Sequence, residues 1–383
     1  MAEREHDIVL FGATGFTGAL TAEYLAAHAG DGLRWALAGR NRAKLEALAE
    51  RLGVDVPLLH ADVNEDASLR DVADAARVVI TTVGPYVTYG EPLVAACASA
   101  GTDYVDLTGE PEFVDRMYVR HHAEAEKSGA RIVHACGFDS IPHDLGVLFT
   151  VEQLPEGVPL NVRGFVRAGG KPSGGTFHSA MTAFTRVRQT QQVHKERRRA
   201  EGHEDGRRVR LEAKPHRQLG YWAVPLPTID PQVIARSARA LERYGPDFTY
   251  GHYAGVKRLP IAVGGVAGVA SLFVAAQIPP VRKALMGRLS PGDGPSEGER
   301  AKSWFKVRFV GEGGGQRVVT MVSGGDPGYT ETSKMLAESA LCLAEDDLPQ
   351  TAGQVTTAVA MGDQLIARLQ RAGIGFEVLE SQV

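Results

Sequence analysis

Gly12, Gly15 and Gly18 stand three residues apart near the start of the chain, directly after the apolar run 8–11. A short strand, a Gly-x-x-Gly-x-x-Gly turn and then a helical pattern make up the arrangement that lets a backbone close around a pyrophosphate. Gly12 permits the sharp turn out of the strand. Gly15 keeps a side chain from standing between backbone and phosphate, and Gly18 lets the helix pack tightly on the sheet. The helix N-terminus then presents its unpaired N–H groups to the anion. Ala13, Thr14, Phe16 and Thr17 complete the candidate cradle. In a chain with 44 glycines the triplet alone says little; its strand context gives it meaning.

The next apolar run, 35–38, ends at Gly39 and Arg40, with Arg42 and Lys44 close behind. A domain selective for NAD usually places a carboxylate there for the ribose 2′-hydroxyl. An arginine instead can grip a 2′-phosphate through paired bonds and stack on the adenine. These residues therefore predict NADP(H). After a third run, 56–61, Asp62 can accept from the adenine amino group while Val63 packs on the ring. A fourth run, 77–81, leads into Val83, Gly84, Pro85 and Tyr86, expected beside the nicotinamide half. Asp139, Ser140 and His143 follow the sixth run, 132–135, at the same edge. With Tyr86 they are the candidates for orienting a substrate or passing a proton. Asp139 and Ser140 have a second reading, as caps of a helix opening near Pro142.

Apolar runs alternate with helical patterns through the first 135 residues or so. Six strands with helices between them give the expected fold class: α/β, an N-terminal Rossmann domain with a doubly wound parallel sheet, then a second, α+β mixed-sheet substrate domain. The expected boundaries are 1–136, 137–350 and 351–383. The chain has 383 residues, 44% of them hydrophobic and 23% charged, which suits a globular protein with ample core. A net charge of −4 gives no whole-protein case for nucleic acid. Cys97, Cys136 and Cys342 are far apart and lack metal-ligand spacing, which fits a reducing cytoplasm, no structural disulfide and no metal site.

The second half offers less chemistry. A strand is expected at 162–166, a glycine-rich turn at 169–176 and a helix from Thr176 to Val187. The segment 194–217 is strongly basic: a solvated face or mobile loop, or a dock for an acidic partner or a carrier arm. Residues 259–278 hold no charge over 20 positions, with Lys257 and Arg258 before them and Arg282 and Lys283 after. Three readings stand: a membrane span, a buried core helix, or a lipid-contacting element with basic flanks. A linker at 290–302, a hairpin of strands 304–309 and 317–322, helices at 329–343 and 355–371, and a last strand at 376–378 complete the chain.

Several of these motifs together resemble the saccharopine dehydrogenase-like oxidoreductases. They are the loop from Gly12 to Gly18, Ala38-Gly39-Arg40, the segment from Thr82 to Tyr86, that from Cys136 to Pro142, Ser173-Gly174-Gly175-Thr176, and that from Gly324 to Tyr329. The likeness covers nearly the whole chain and is strongest to the actinobacterial trans-acting enoyl reductases. It implies an NADPH-dependent reduction of a carbon–carbon double bond on a polyketide or lipid chain. The implied partners are an apolar or carrier-linked acyl substrate, its acyl carrier protein, and a lipid or membrane surface through 259–278. The family fold also implies a last helix returning to the first domain. His143 departs from the small residue expected at its position. Two alternatives are a saccharopine-reductase-like C=N reductase, for which paired arginines for a dicarboxylate are lacking, and a non-catalytic NADP(H) sensor or scaffold.

Overall fold

Strands buried on both faces are largely apolar, and here the polar residues His6, Asp7, Asp103 and Asp106 stand at strand ends. Every residue of His6–Phe11, Trp35–Gly39 and Asp103–Asp106 is buried. The computed structural model describes residues 4–170, 181–202, 207–286 and 294–382. The Ser173 to Thr176 turn and the start of the helix expected after it lie outside the described residues, as does part of the 290–302 linker. The described residues fall into two compact units. One lies within Met1–Phe138, Val193–Ala200 and Tyr329–Ala372, the other within Asp139–Gln192, Glu201–Gly328 and Gly373–Val383.

The first unit is built on a seven-stranded parallel sheet. Its spatial order is Gly353–Val355, Arg131–Val133, Asp103–Asp106, Ala76–Thr81, His6–Phe11, Trp35–Gly39 and Leu58–His60. Strand order reverses between His6–Phe11 and Ala76–Thr81, which is the switch point of a doubly wound sheet. The expected Rossmann architecture is therefore present, with one strand more than the sequence predicts. Residues 353–355, expected partly as helix, pair with Arg131–Val133. The single helix expected over 355–371 is two, Thr357–Ala360 and Gly362–Arg371, broken where Gly362 takes a left-handed φ of 44°.

The helix Thr330–Glu345 belongs to this first unit, whereas the expected substrate domain ran to 350. Tyr24 donates a 2.6 Å hydrogen bond to Glu338 Oε1, and Ser333 Oγ donates to the Thr17 carbonyl. Arg368, on Gly362–Arg371, gathers three acids of the segment: Glu338 at 3.5 Å, Glu345 at 2.8 Å and Asp346 at 2.5 Å.

The second unit holds an eight-stranded mixed sheet. Its main path runs Gly375–Gln382, Gln316–Gly324, Trp304–Gly313, Leu160–Gly169, Asp247–Val256, Tyr221–Pro225 and His216–Gln218, and Arg208–Glu212 also pairs with Asp247–Val256. The expected hairpin is present, closing at the pair Gly313 and Gln316. Four strands between 208 and 256 have no counterpart in the sequence reading. Arg208–Glu212 alternates charged residues with Val209 and Leu211 and is largely exposed, so it carries no core signature. Helix Ile141–Val151 is buried along nearly its whole length against this sheet. Gly146 permits that contact: a Cβ there would come within 2.4 Å of the Phe309 ring.

Arg368→Ala should leave Glu338 buried without its cation. A loss of about 1.5–3 kcal/mol in urea denaturation is expected. Arg368 also holds the Asp346 carboxyl below its usual range. That part of the stability is present above the unfolded carboxylate value near 4 and is lost as pH falls through the lowered one. The variant should lose this acid dependence as well.

Candidate active site

The turn after the first strand is closed by backbone bonds. Gly12 N–H donates to the Ala38 carbonyl at 3.1 Å, and Gly15 N–H to the Gly12 carbonyl at 3.0 Å. Gly12 adopts φ 86°, a left-handed conformation that favours glycine. At Gly18 a Cβ would sit 2.1 Å from the Gly12 carbonyl oxygen, so only glycine lets the helix Phe16–His28 start this close to the turn. Gly15 differs. It is exposed, and a Cβ there would meet nothing within 4 Å except the Gly12 carbonyl oxygen at 3.4 Å. The helix that follows has no side-chain cap and no acid in its first turn. An open backbone face beneath an uncapped helix N-terminus fits a diphosphate.

The remaining nucleotide candidates sit beyond the carboxyl ends of neighbouring strands. Arg40, directly after Trp35–Gly39, is exposed, as are Arg42 and Lys44. Arg42 pairs with Glu46 at 2.9 Å, and the Lys44 backbone N–H is taken by the Asn41 cap. Arg40 and the Lys44 side chain both remain candidates for a 2′-phosphate. Asp62 accepts from the Asn64 backbone and side chain, both at 2.9 Å and both on Oδ1. The Asn64 backbone N–H, then its side chain and Arg40, hold the Asp62 carboxyl below the usual range against its partial burial. Val63 beside it is half-buried. Thr82 and Val83 lie against Gly12, with Thr82 Oγ1 donating to the Gly12 carbonyl at 3.1 Å, while Gly84 and Pro85 are exposed.

Tyr86 does not present a proton. Its hydroxyl is buried and donates to the Thr81 carbonyl at 3.1 Å, its ring packs on Phe113, and Glu110 accepts from the N–H groups of Tyr86 and Val87. Burial, with Asp106 and Glu110 nearby, pushes its phenol well up. The geometry makes Tyr86 an anchor of the 82–86 loop. Asp106 is likewise structural. Fully buried, it accepts from Tyr104 and from the backbone N–H groups of Thr108 and Ala135, and lies 2.7 Å from His134 Nδ1.

The second unit brings Asp139, Ser140 and His143 together at the start of Ile141–Val151. Neither Asp139 nor Ser140 acts as the side-chain cap that the alternative reading required. Ser140 Oγ is buried and has no hydrogen-bond partner among the described residues. Two residues that the sequence reading missed complete the group. Asp230 opens the helix Asp230–Ala240, and His252 sits on the strand Asp247–Val256. His252 Nε2 lies 3.4 Å from Asp230 Oδ2, and His143 Nε2 lies 3.8 Å from Asp230 Oδ1. The Tyr250 hydroxyl is 2.9 Å from His252 Nδ1. With a carboxylate facing Nε2, the imidazole carries its proton there and Nδ1 accepts from Tyr250.

Burial opposes the charge on Asp230, but His143, His252 and the Thr228 hydroxyl outweigh it and hold that carboxyl well below the usual range. Asp139 moves the other way: burial, then the neighbouring Asp230 charge, pushes it up. Burial, with His252 adding to it against Asp230, pushes His143 down to about 4. The group therefore pairs an ionised acid with one that keeps its proton far above the usual carboxylate range. Environments that separate two carboxyls in this way mark acid–base sites.

Residues 8–133 match the NADP-binding domain family of saccharopine dehydrogenase. A Mycobacterium tuberculosis protein provisionally assigned as a trans-acting enoyl reductase is 38% identical over 98% of this chain and 97% of its own. The trans-acting enoyl reductase of Mycobacterium ulcerans is 35% identical, with 97% of each chain covered. This chain belongs to the saccharopine dehydrogenase-like family. It is an NADP-dependent oxidoreductase. The saccharopine dehydrogenase (L-Glu forming) of Saccharomyces cerevisiae shares the fold, with a TM-score of 0.53 at 13% identity over 98% of this chain and all of its own.

Two glycine substitutions separate the roles in the oxidoreductase's cradle. Gly15→Val should abolish NADPH binding in calorimetry while the melting temperature stays near the parent's. Gly18→Val should destabilise the fold itself by roughly 1–3 kcal/mol or more, since backbone must shift to relieve the overlap. Arg40→Ala should weaken NADPH roughly 10- to 100-fold and leave NADH nearly unchanged. Equal affinity of the parent for both nucleotides would remove Arg40 from the 2′-phosphate site.

Proposed function

We propose that this oxidoreductase reduces the carbon–carbon double bond of an α,β-unsaturated acyl group, delivered in trans on a carrier or as a thioester. The full-length likeness to proteins named trans-acting enoyl reductases, in an NADP-binding chain, carries this reading. Arg40 and the turn from Gly12 to Gly18 would hold the nucleotide, and Asp62 and Val63 its adenine. Bound NADPH supplies the hydride, and reducing an enoyl group also requires one proton at the carbon next to the carbonyl.

Asp139 is the residue that holds such a proton. Its protonated form is favoured because burial disfavours its charge and Asp230 beside it stays ionised. Asp230 is in turn fixed by His252, which Tyr250 orients. Buried His143 stays neutral and so offers no positive charge to stabilise the Asp139 anion. Arg197 is buried against Asp115 and Gln354, and Arg210 pairs with Asp247, so neither is free for a carrier. Lys195, Arg198 and Arg199 are exposed and would offer an acidic carrier its docking charges.

NADPH consumption with long-chain 2-enoyl thioesters tests the assignment. Turnover should fall as pH rises through the raised Asp139 pKa, because the acid must be protonated. Asp139→Asn should lower turnover roughly 100-fold or more, flatten that limb and leave NADPH affinity unchanged. Tyr86→Phe should preserve turnover if folding is preserved. NADPH binding without consumption on any enoyl thioester would instead favour the sensor reading.

A further inference from the structure

The helix Leu259–Ala276 is 18 residues long, uncharged, with a mean hydropathy of 2.1, and only 11% of it is buried. Ile261, Val263, Val266, Val269, Phe273 and Val274 are all exposed. At 100° per residue these side chains spread over more than half the circumference. The remaining sector carries Gly264, Gly268, Ser271 and Ala275, and a Cβ at either glycine would meet nothing outside the helix's own backbone within 4 Å. A helix facing water should be polar on its outer side, and this one is apolar all round. The buried core helix is therefore excluded, and so large a contiguous apolar surface marks an interaction site. The helix is also held in place: Gln277 donates to the Phe184 carbonyl at 2.8 Å, and the Phe184 and Phe273 rings meet edge-on at 5.5 Å.

Charge and topology together choose the occupant. Lys257 and Arg258 precede the helix, Arg282 and Lys283 follow it, and no acid lies from 257 to 283. Basic residues at both ends of an apolar helix complement anionic headgroups. The strand that leads in, Asp247–Val256, and the strand reached afterwards, Trp304–Gly313, belong to one sheet. A helix that crossed the bilayer would need a second crossing to return. From Arg282 to Lys302 the chain carries five basic and three acidic residues, which cannot make it. We propose that Leu259–Ala276 is a monotopic anchor that embeds in one leaflet of an anionic bilayer, with its basic flanks at the headgroups. This holds whatever the substrate of the oxidoreductase.

Flotation of the full-length protein with 3:1 phosphatidylcholine–phosphatidylglycerol vesicles tests the anchor, with pure phosphatidylcholine vesicles in parallel. The protein should float with the anionic vesicles far more than with the neutral ones. Val266→Asp with Val269→Asp, at two exposed positions, should cut partitioning at least roughly 100-fold. Lys257→Glu with Arg258→Glu should cut it roughly 30-fold or more on anionic vesicles only. Thermal melting of each variant without lipid should match the parent's. Failure of the parent to float, equal binding to neutral vesicles, or a stable dimer that covers the helix and persists with vesicles would each overturn the proposal.

Discussion

One backbone contact organises the nucleotide half: the helix Phe16–His28 begins so close to the turn at Gly12 that position 18 has no room for a side chain. The contact aims an uncapped helix end at the space beyond the first strand. It also ties that end to the neighbouring strands, through the Gly12 N–H to Ala38 and the Thr82 hydroxyl to the Gly12 carbonyl. The returning segment braces it from behind. Tyr329 meets the Phe16 ring edge-on at 4.8 Å, and Ser333 donates to the Thr17 carbonyl. A loop that binds phosphate through its own N–H groups cannot rely on side chains for rigidity. Packing by residues from more than 300 positions away supplies it.

The second unit rests on a different constraint, the expense of burying a carboxylate. Asp230 is 1% exposed and ionised, and a buried ion of that kind persists only with partners that satisfy it. Thr228 donates to it, and His252 is turned toward it by Tyr250. Once Asp230 holds its charge, a second carboxyl nearby loses its own more reluctantly. The proton on Asp139 thus follows from its own burial and from the fixed negative charge of a neighbouring carboxylate.

The glycine cradle, the run of parallel strands and the basic residue after the second strand were all legible in the sequence, because their signals are local. So were Asp139, Ser140 and His143, which follow a strand end directly. Asp230 and His252 were not. Each is a lone polar residue on an ordinary element, far along the chain, and only the sheet brings them to Asp139's helix. Tyr86 shows the converse limit. Its position after the fourth strand was right for a site residue, but Thr81 and Phe113 fix its hydroxyl in the interior. Gly353–Val355 escaped notice because three residues cannot display a period.

The helix Leu259–Ala276 shows how composition and exposure answer different questions. Its letters alone fit a core helix, a span or a surface anchor. Exposure removes the first and the sheet connection removes the second, although neither can be read from hydropathy. What remains is an enzyme that leaves a large apolar surface facing water, a standing liability for solubility unless something covers it. A leaflet covers it without any complementary shape, and the flanking lysines and arginines orient the contact. Apolar acyl chains partition into the same phase. The anchor would therefore hold this oxidoreductase at the phase into which such chains partition.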